Sequence, residues 1–384
     1  MPKSRSACLT AVTLFAVLAP ATAGAAEIQC KASEEQMIAA VRAVHDKQRN
    51  VGVQAAIRIG GRLVFSHNHG LADRENKIPV TSNTRFPVAS LTKAYTGVAT
   101  LKAAAAGKLD LDAPIQKYVP EFPAKPELTV TPRRLAAHRA GIRHWGPERQ
   151  GLYARHFDRL ADILPLFKDD PLLAKAGVDY QYSSYGYNLL GLVVERAARV
   201  GFTRYVEQAI LRPLRLGKTR FDDARKPVKG LTRLYSFFDL VTYAEFDAAD
   251  APLIPPFDYS HNMAGGNMST TAEDATRFGS ALLGPGFLPT HQYKMLFVRP
   301  TFGGEASPMS FGFFAPAPGA ERRLIISGAS HGHQAGLMIY PERKLTVAVL
   351  SNTWGKGSRS GEMTAALPQQ LADLCAPPPV SGSH

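Results

Sequence analysis

The sequence has little cysteine, no second long apolar run and no block of like charge, and each scarcity removes a class of protein. Only three of its 384 residues are cysteine. Cys8 lies inside an apolar N-terminal stretch and leaves with it when that stretch is cleaved. Cys30 and Cys375 stand at opposite ends of the remaining chain, where an oxidising compartment lets them either bridge two terminal helices or stay as free thiols. Beyond the N-terminal stretch no segment approaches the ~20 apolar residues that a membrane helix requires. Basic residues outnumber acidic ones by 45 to 32, for a net charge of +13, but they are scattered. Without a Lys/Arg run or a basic stripe interleaved with aromatics, the charge argues against nucleic acid as a partner. Internal repeats are lacking, and low complexity is confined to a Pro/Gly/Ser tail expected to be flexible over 376–384. The composition, 45% hydrophobic and 20% charged, excludes collagen-like, coiled-coil and disordered chains.

What is there begins with a leader. Lys3 and Arg5 precede an apolar stretch over 7–19, and Ala23, Gly24, Ala25 and Ala26 follow. This is the pattern of a secretory signal peptide over 1–26, and it predicts a secreted or periplasmic protein. A helix is predicted over 33–49, where Met37, Ile38, Val41 and Val44 fall at helical spacing. Residues 51–59 and 62–65 are strand-like and flank Gly60-Gly61, which predicts a hairpin. Helical patterns over 93–106, 187–199 and 271–283 make the centre, roughly 92–290, a helical lobe. Three strand-like runs, 322–327, 335–340 and 345–351, then precede a helix over 362–375. Strands at both ends with helices between them predict an α/β (α+β) fold. Its antiparallel sheet would be built from both chain ends and flanked by helices, with the helical lobe inserted. One domain would span 27–375, with its binding cleft between sheet and lobe.

Chemistry is suggested by Ser90-Leu91-Thr92-Lys93, a hydroxyl and an ammonium three positions apart where a helix begins after Pro87. Positions i and i+3 share a helix face, so Lys93, desolvated in a cleft, could manage the proton of Ser90. The spacing by itself is common in a chain of this composition and is equally met at a solvated helix start. Tyr182-Ser183-Ser184 is expected in a loop just before another helix pattern and offers a phenol and a hydroxyl that could line the same cleft. A phenol beside an ammonium would have its pKa lowered and could take and return the serine's proton. The competing reading is a tyrosine-rich packing turn, since Tyr180, Tyr185 and Tyr187 are neighbours.

Several segments in order raise the specificity. Thr84-Arg-Phe-Pro-Val-Ala-Ser-Leu-Thr-Lys93, Gly107-Lys-Leu-Asp-Leu-Asp112 and Tyr118-Val-Pro-Glu-Phe-Pro123 are followed by His138-Arg-Ala-Gly-Ile-Arg-His144. Tyr182-Ser-Ser-Tyr-Gly-Tyr-Asn-Leu-Leu-Gly191 and Ala264-Gly-Gly-Asn-Met-Ser-Thr-Thr-Ala-Glu-Asp274 complete the set. Together they resemble the serine β-lactamase and penicillin-binding-protein superfamily, in its class C β-lactamase-related branch, over essentially the whole mature chain. The resemblance implies a β-lactamase/transpeptidase-like fold, with Ser90 as acylated nucleophile, Lys93 as its proton partner and Tyr182 as general base and acid. Ser184 stands where the family usually has Asn, and a hydroxyl offers fewer hydrogen bonds than an amide. The family's third motif, Lys-Thr-Gly or His-Thr-Gly, has two placements. Counting back from Pro341-Glu-Arg-Lys without a gap gives Ile326-Ser327-Gly328, which lacks the cation; a gap gives His331-Gly332-His333. The ungapped register is preferred, and it implies an oxyanion hole made by the backbone amides of Ser90 and Ala329.

Two rival motifs are present. Gly328-Ala329-Ser330-His331-Gly332 matches G-x-S-x-G, but that elbow needs a following helix, and here a strand pattern follows. His67-Asn68-His69 and His331-Gly332-His333 each place two imidazoles on one strand face. Neither has helical His-x-x-x-His spacing or nearby cysteine pairs, so surface or hairpin-turn histidines are expected. The leading expectation is an exported serine hydrolase that forms a covalent acyl-enzyme with an ester, peptide or β-lactam and needs no cofactor or metal. A missing cation at the third motif tilts this toward ester or peptide substrates. The alternative, favoured by Ser184 and Ile326, is a penicillin-binding-like protein with weak or no turnover that serves as a binding or structural module.

Overall fold

A computed structural model describes residues 30–376 apart from 174–176, 227, 240, 241, 243 and 358–360. The expected leader over 1–26, Cys8 and the tail beyond 376 lie outside the described residues. Ser33 starts α1 (Glu34–Lys47) with a reciprocal cap: its hydroxyl accepts from Gln36 N at 3.3 Å, and Gln36 Oε1 accepts from Ser33 N at 2.9 Å. Met37, Ala40 and Val41 form the buried stripe of this helix. Strands β1 (Gly52–Ile59) and β2 (Arg62–Asp73) follow, joined by Gly60 and Gly61 at φ 55° and 85°, conformations that glycine adopts freely. β2 is much longer than the apolar run at 62–65, because pairing with β1 continues to Gly52↔Gly70 through polar residues that break the hydrophobic pattern. His67 and His69 therefore sit on a strand, opposite Ala55 and Val53, and the hairpin-turn expectation for them is corrected.

The three longest helices of the central part are α2 (Thr92–Ala105), α3 (Ser184–Ala198) and α4 (Ala272–Ser280). They are followed by β3 (Leu324–Ser330), β4 (His333–Tyr340), β5 (Leu345–Ser351) and α5 (Leu367–Cys375). The main sheet runs 309–310, 313–314, β3, β4, β5, β1, β2, 78–79, with every neighbour antiparallel. Its two halves meet where β5 pairs with β1 from Ser351↔Val53 to Leu345↔Ile59. The expected sheet built from both chain ends and flanked by helices is thus the observed one. Alternation on β5 divides the core. Leu345, Val347 and Val349 pack with Val41, Leu367 and Leu371 beneath the terminal helices, while Ala348 and Leu350 join the core of the helical side. Each of these buried Leu or Val side chains contributes about 1.5–3 kcal/mol.

The terminal layer is also closed covalently. Cys30 and Cys375 form a disulfide, with Cα atoms 4.0 Å apart, and Lys31 N and Ala32 N donate to Cys375 O and Leu374 O at 2.9 and 3.0 Å. On the other face, Gln54 of β1 accepts from Ala272 N at 3.0 Å and so seats the start of α4, where Thr271 also caps Asp274 N at 3.2 Å. A short three-stranded sheet, 86–87 with 268–270 and 220–221, leads the chain into α2. Its two- and three-residue strands are too short to carry a legible alternation.

Candidate active site

The nucleophile candidate is set by a turn. Pro87 ends one of the short strands, and residues Ala89–Leu91 make a 3-10 turn that runs directly into α2. Ala89 is held at φ 43°, the left-handed region that a non-glycine residue occupies at a cost of about 1–3 kcal/mol. This local strain turns Ser90, half-buried, toward the junction of α2, α3 and β3. Lys93 follows one turn later and is fully buried. Its Nζ donates to Ser90 Oγ at 3.2 Å, to Ser184 Oγ at 3.0 Å and to the carbonyl of Gly265 at 2.8 Å. Burial lowers its pKa to about 7, so near neutral pH a substantial fraction is free amine.

Tyr182 completes the cluster, its hydroxyl donating to Ser90 Oγ at 2.7 Å. The segment carrying it is pinned on both sides. Gln181 N donates to His138 O at 2.8 Å, Ser183 N to His138 Nδ1 at 3.0 Å and Ser184 N to His144 Nδ1 at 3.1 Å. Ser183 Oγ in turn donates to Arg143 O at 2.7 Å and accepts from Gly186 N at 2.8 Å, which caps α3. Both imidazoles stay neutral, as accepting an amide requires: burial, with Lys93 adding to it, pulls His138 well below its usual range and His144 to about 3. Sequence reasoning met His138 and His144 only as parts of a motif and missed this positioning role; nothing in their spacing announces it.

Two expectations need correction here. The phenol of Tyr182 is not pulled down by the neighbouring ammonium. Burial pushes its pKa up, the bond to Ser90 opposing only in part, so the group that yields its proton first is Lys93. Ser184 is not in a loop facing substrate. It is the first residue of α3, 2% exposed, and its hydroxyl is taken by Lys93.

Of the two segments considered for the third motif, 326–328 is the one that lies against the turn carrying Ser90. A Cβ on Gly328 would overlap Val88 O and lie 2.8 Å from Ser90 N, so its missing side chain is what lets β3 approach the nucleophile turn. Ala329, exposed, and Ser327, half-buried, flank it on a stretch of β3 beyond the single pairing to its outer neighbour, Phe314↔Ile325. Ile326 is buried opposite Leu337 in the core, and no cation stands in its place. His331 and Gly332 form the tight turn between β3 and β4 instead. The His331 ring lies edge-on to Tyr153 at 4.7 Å. Ser330 is buried, bonded to Tyr259 OH at 2.8 Å and followed by a strand, so the nucleophile-elbow reading fails. A Gly328→Ala variant is expected to separate β3 from Ser90 and to slow acylation by about 10²-fold, the cost of roughly an ångström of misplacement. Labelling kinetics at equal folded fraction check it.

An apolar-walled cavity of about 310 Å³ is lined by Pro87, Leu234, Ile254, Phe257, Tyr259 and His333 and has none of Ser90, Lys93 or Tyr182 on its wall. A larger one of about 960 Å³, lined by Arg204, Arg212, Arg215 and Arg220 among others, includes none of Ser90, Lys93 or Tyr182.

Comparison with known proteins places the chain among relatives. The family described as Beta-lactamase matches residues 37–371. The human serine beta-lactamase-like protein LACTB, mitochondrial, is 29% identical over 307 residues, which cover 62% of this chain and 54% of that protein. The chain therefore spans little more than half the length of that relative. The D-amino acid amidase of Ochrobactrum anthropi SV3 shares the fold, with a TM-score of 0.74 at 20% identity over 88% of this chain and 97% of that one. EstCE1, described as a hydrolase with promiscuous acyltransferase activity, has a TM-score of 0.69 at 22% identity over 89% and 98%.

Proposed function

The chain belongs to the Beta-lactamase family, and from that membership we propose that it is an exported serine hydrolase acting on an ester or amide through an acyl-enzyme at Ser90. The observation that carries this reading is the convergence on Ser90 Oγ of Lys93 Nζ at 3.2 Å and Tyr182 OH at 2.7 Å, with Lys93 titrating at about 7. Free Lys93 amine takes the hydroxyl proton as Oγ bonds to the substrate carbonyl carbon. The oxyanion is received by the amides of Ser90 and Ala329, the second brought close by Gly328. Collapse breaks the bond to the leaving group, which takes the Tyr182 proton; the new ammonium at Lys93 stabilises the phenolate and returns a proton to it. Water then attacks the acyl carbon, Lys93 taking its proton; the bond from that carbon to Ser90 Oγ breaks, the Lys93 ammonium returns the proton to Oγ, and the acid departs.

The buried Ile326 leaves no cation on β3 to receive a substrate carboxylate, which favours neutral acyl groups over β-lactams. An esterase or peptidase is also consistent with the amidase and EstCE1 likenesses. Export is supported by the disulfide, since such bonds persist in oxidising compartments; among the described residues no helix is long and apolar enough to cross a membrane. Intact-mass analysis after fluorophosphonate treatment, with peptide mapping, is expected to place one adduct on Ser90 and none in Ser90→Ala. An adduct on Ser330 would refute the assignment, and no adduct at all would favour a binding module that has lost turnover.

A further inference from the structure

Away from the cleft, on the sheet face covered by the terminal helices, α1 crosses β2 so that three histidines and an aspartate gather. The ring of His45, in the last turn of α1, meets His69 edge-on with centroids 4.6 Å apart. His67, two residues earlier on the same strand face, stacks on His69 at 5.9 Å. Asp46 Oδ1 lies 2.8 Å from His45 Nδ1. One ligand atom each from His45, Asp46 and His69 falls within 4.8 Å of the others. The Nε2 atoms of His45 and His67 are buried without a hydrogen-bond partner among the described residues. Such nitrogens cost about 1–3 kcal/mol each when left unsatisfied, so the cluster is a poor arrangement for structure alone.

We propose that His45, Asp46 and His69 form a binding site for a first-row divalent cation of the Zn²⁺ class, with His67 as the adjacent imidazole that can complete its shell. Two imidazoles and one carboxylate suit Zn²⁺, Co²⁺ or Ni²⁺, whereas Ca²⁺ and Mg²⁺ prefer all-oxygen sites. Tetrahedral bonding at about 2.0–2.2 Å needs ligand atoms about 3.3 Å apart. Asp46, its side chain 72% exposed, has room to rotate toward such a geometry. The carboxylate and the carbonyl end of α1 attract a cation, while Arg42, which faces both His67 and His69, opposes it. Micromolar rather than nanomolar affinity follows. The ion would tie α1 to β2, a second clamp on the layer that the disulfide already closes. This inference does not depend on the hydrolase reading.

The test uses the untagged, disulfide-intact protein, titrated with Co²⁺ in visible absorption and with ZnCl₂ by calorimetry. One equivalent is expected to bind, with affinity at least about 10-fold weaker in His69→Gln and in Asp46→Asn and unchanged in His291→Gln, an exposed histidine elsewhere. Circular dichroism confirms folding, and should His69→Gln unfold, the exposed Asp46→Asn carries the comparison. Absence of Zn²⁺ binding below about 1 mM, or stoichiometric binding retained by both site variants, overturns the proposal.

Discussion

Replacing Lys93 by Met is expected to lower kcat/KM by about 10²–10⁴-fold, the range of a general base held at its substrate, while the protein still folds. The unmodified protein is expected to show kcat/KM rising with pH through about 7, because in the proposed mechanism only the free amine accepts the Ser90 proton and burial places its titration there. Tyr182, pushed upward, stays protonated across this range and adds no limb of its own near neutrality. The same burial has a stability consequence whose sign is fixed by linkage. Below pH 7 both folded and unfolded chains carry the Lys93 proton, and the folded one holds an ammonium out of water. Between about 7 and the unfolded value near 10.4 only the unfolded chain keeps it, so this group's contribution to stability rises by about 1.4 kcal/mol per pH unit. Urea denaturation of the two proteins at pH 6, 8 and 10 checks this. The stability of Lys93→Met relative to the parent should decline as pH rises above 7. A rate profile flat from pH 5 to 9, or a pH-independent stability difference, would show that Lys93 is not the titrating base.

The second large effect is on the terminal layer. A Cys30→Ser, Cys375→Ser double variant is expected to lose about 3–5 kcal/mol of stability. The bond joins positions 345 apart in sequence, and cross-links that close long loops remove the most freedom from the unfolded chain. Cys375 is also buried among Met37, Leu371 and Ala372, so the loss includes packing as well as the tether. Acylation of Ser90 per folded molecule should be unchanged, since the bond lies on the face of the sheet away from α2 and α3. Denaturant midpoints with and without reductant give the measurement. A midpoint that does not move on reduction would mean that the terminal helices dock without covalent help.

Local chemistry was legible before the fold was. Ser90 and Lys93 share a helix face because three positions make nearly one turn, and the helix over 33–49 was announced by Met37, Ile38, Val41 and Val44 at helical spacing. A short run rich in apolar and β-branched residues marked β5, and the Gly60-Gly61 turn marked the hairpin, since both depend only on neighbouring residues. The length of β2 was hidden because its inner half is paired by backbone and carries polar side chains. Ser184 was misplaced into a loop because its partner, Lys93, lies 91 positions earlier.

By itself, then, the sequence supplied the candidate reacting groups, through several motifs met in order, and the antiparallel sheet drawn from both ends, through short-range periodicity. Tertiary structure alone decided three further things: that Lys93 loses its water to Gly265 and Ser184, that Gly328 and not the 331–333 turn meets Ser90, and that His45 reaches His69. Each is a contact between distant segments. Charge state and close approach depend on what surrounds a side chain in space, and no spacing along the chain encodes that.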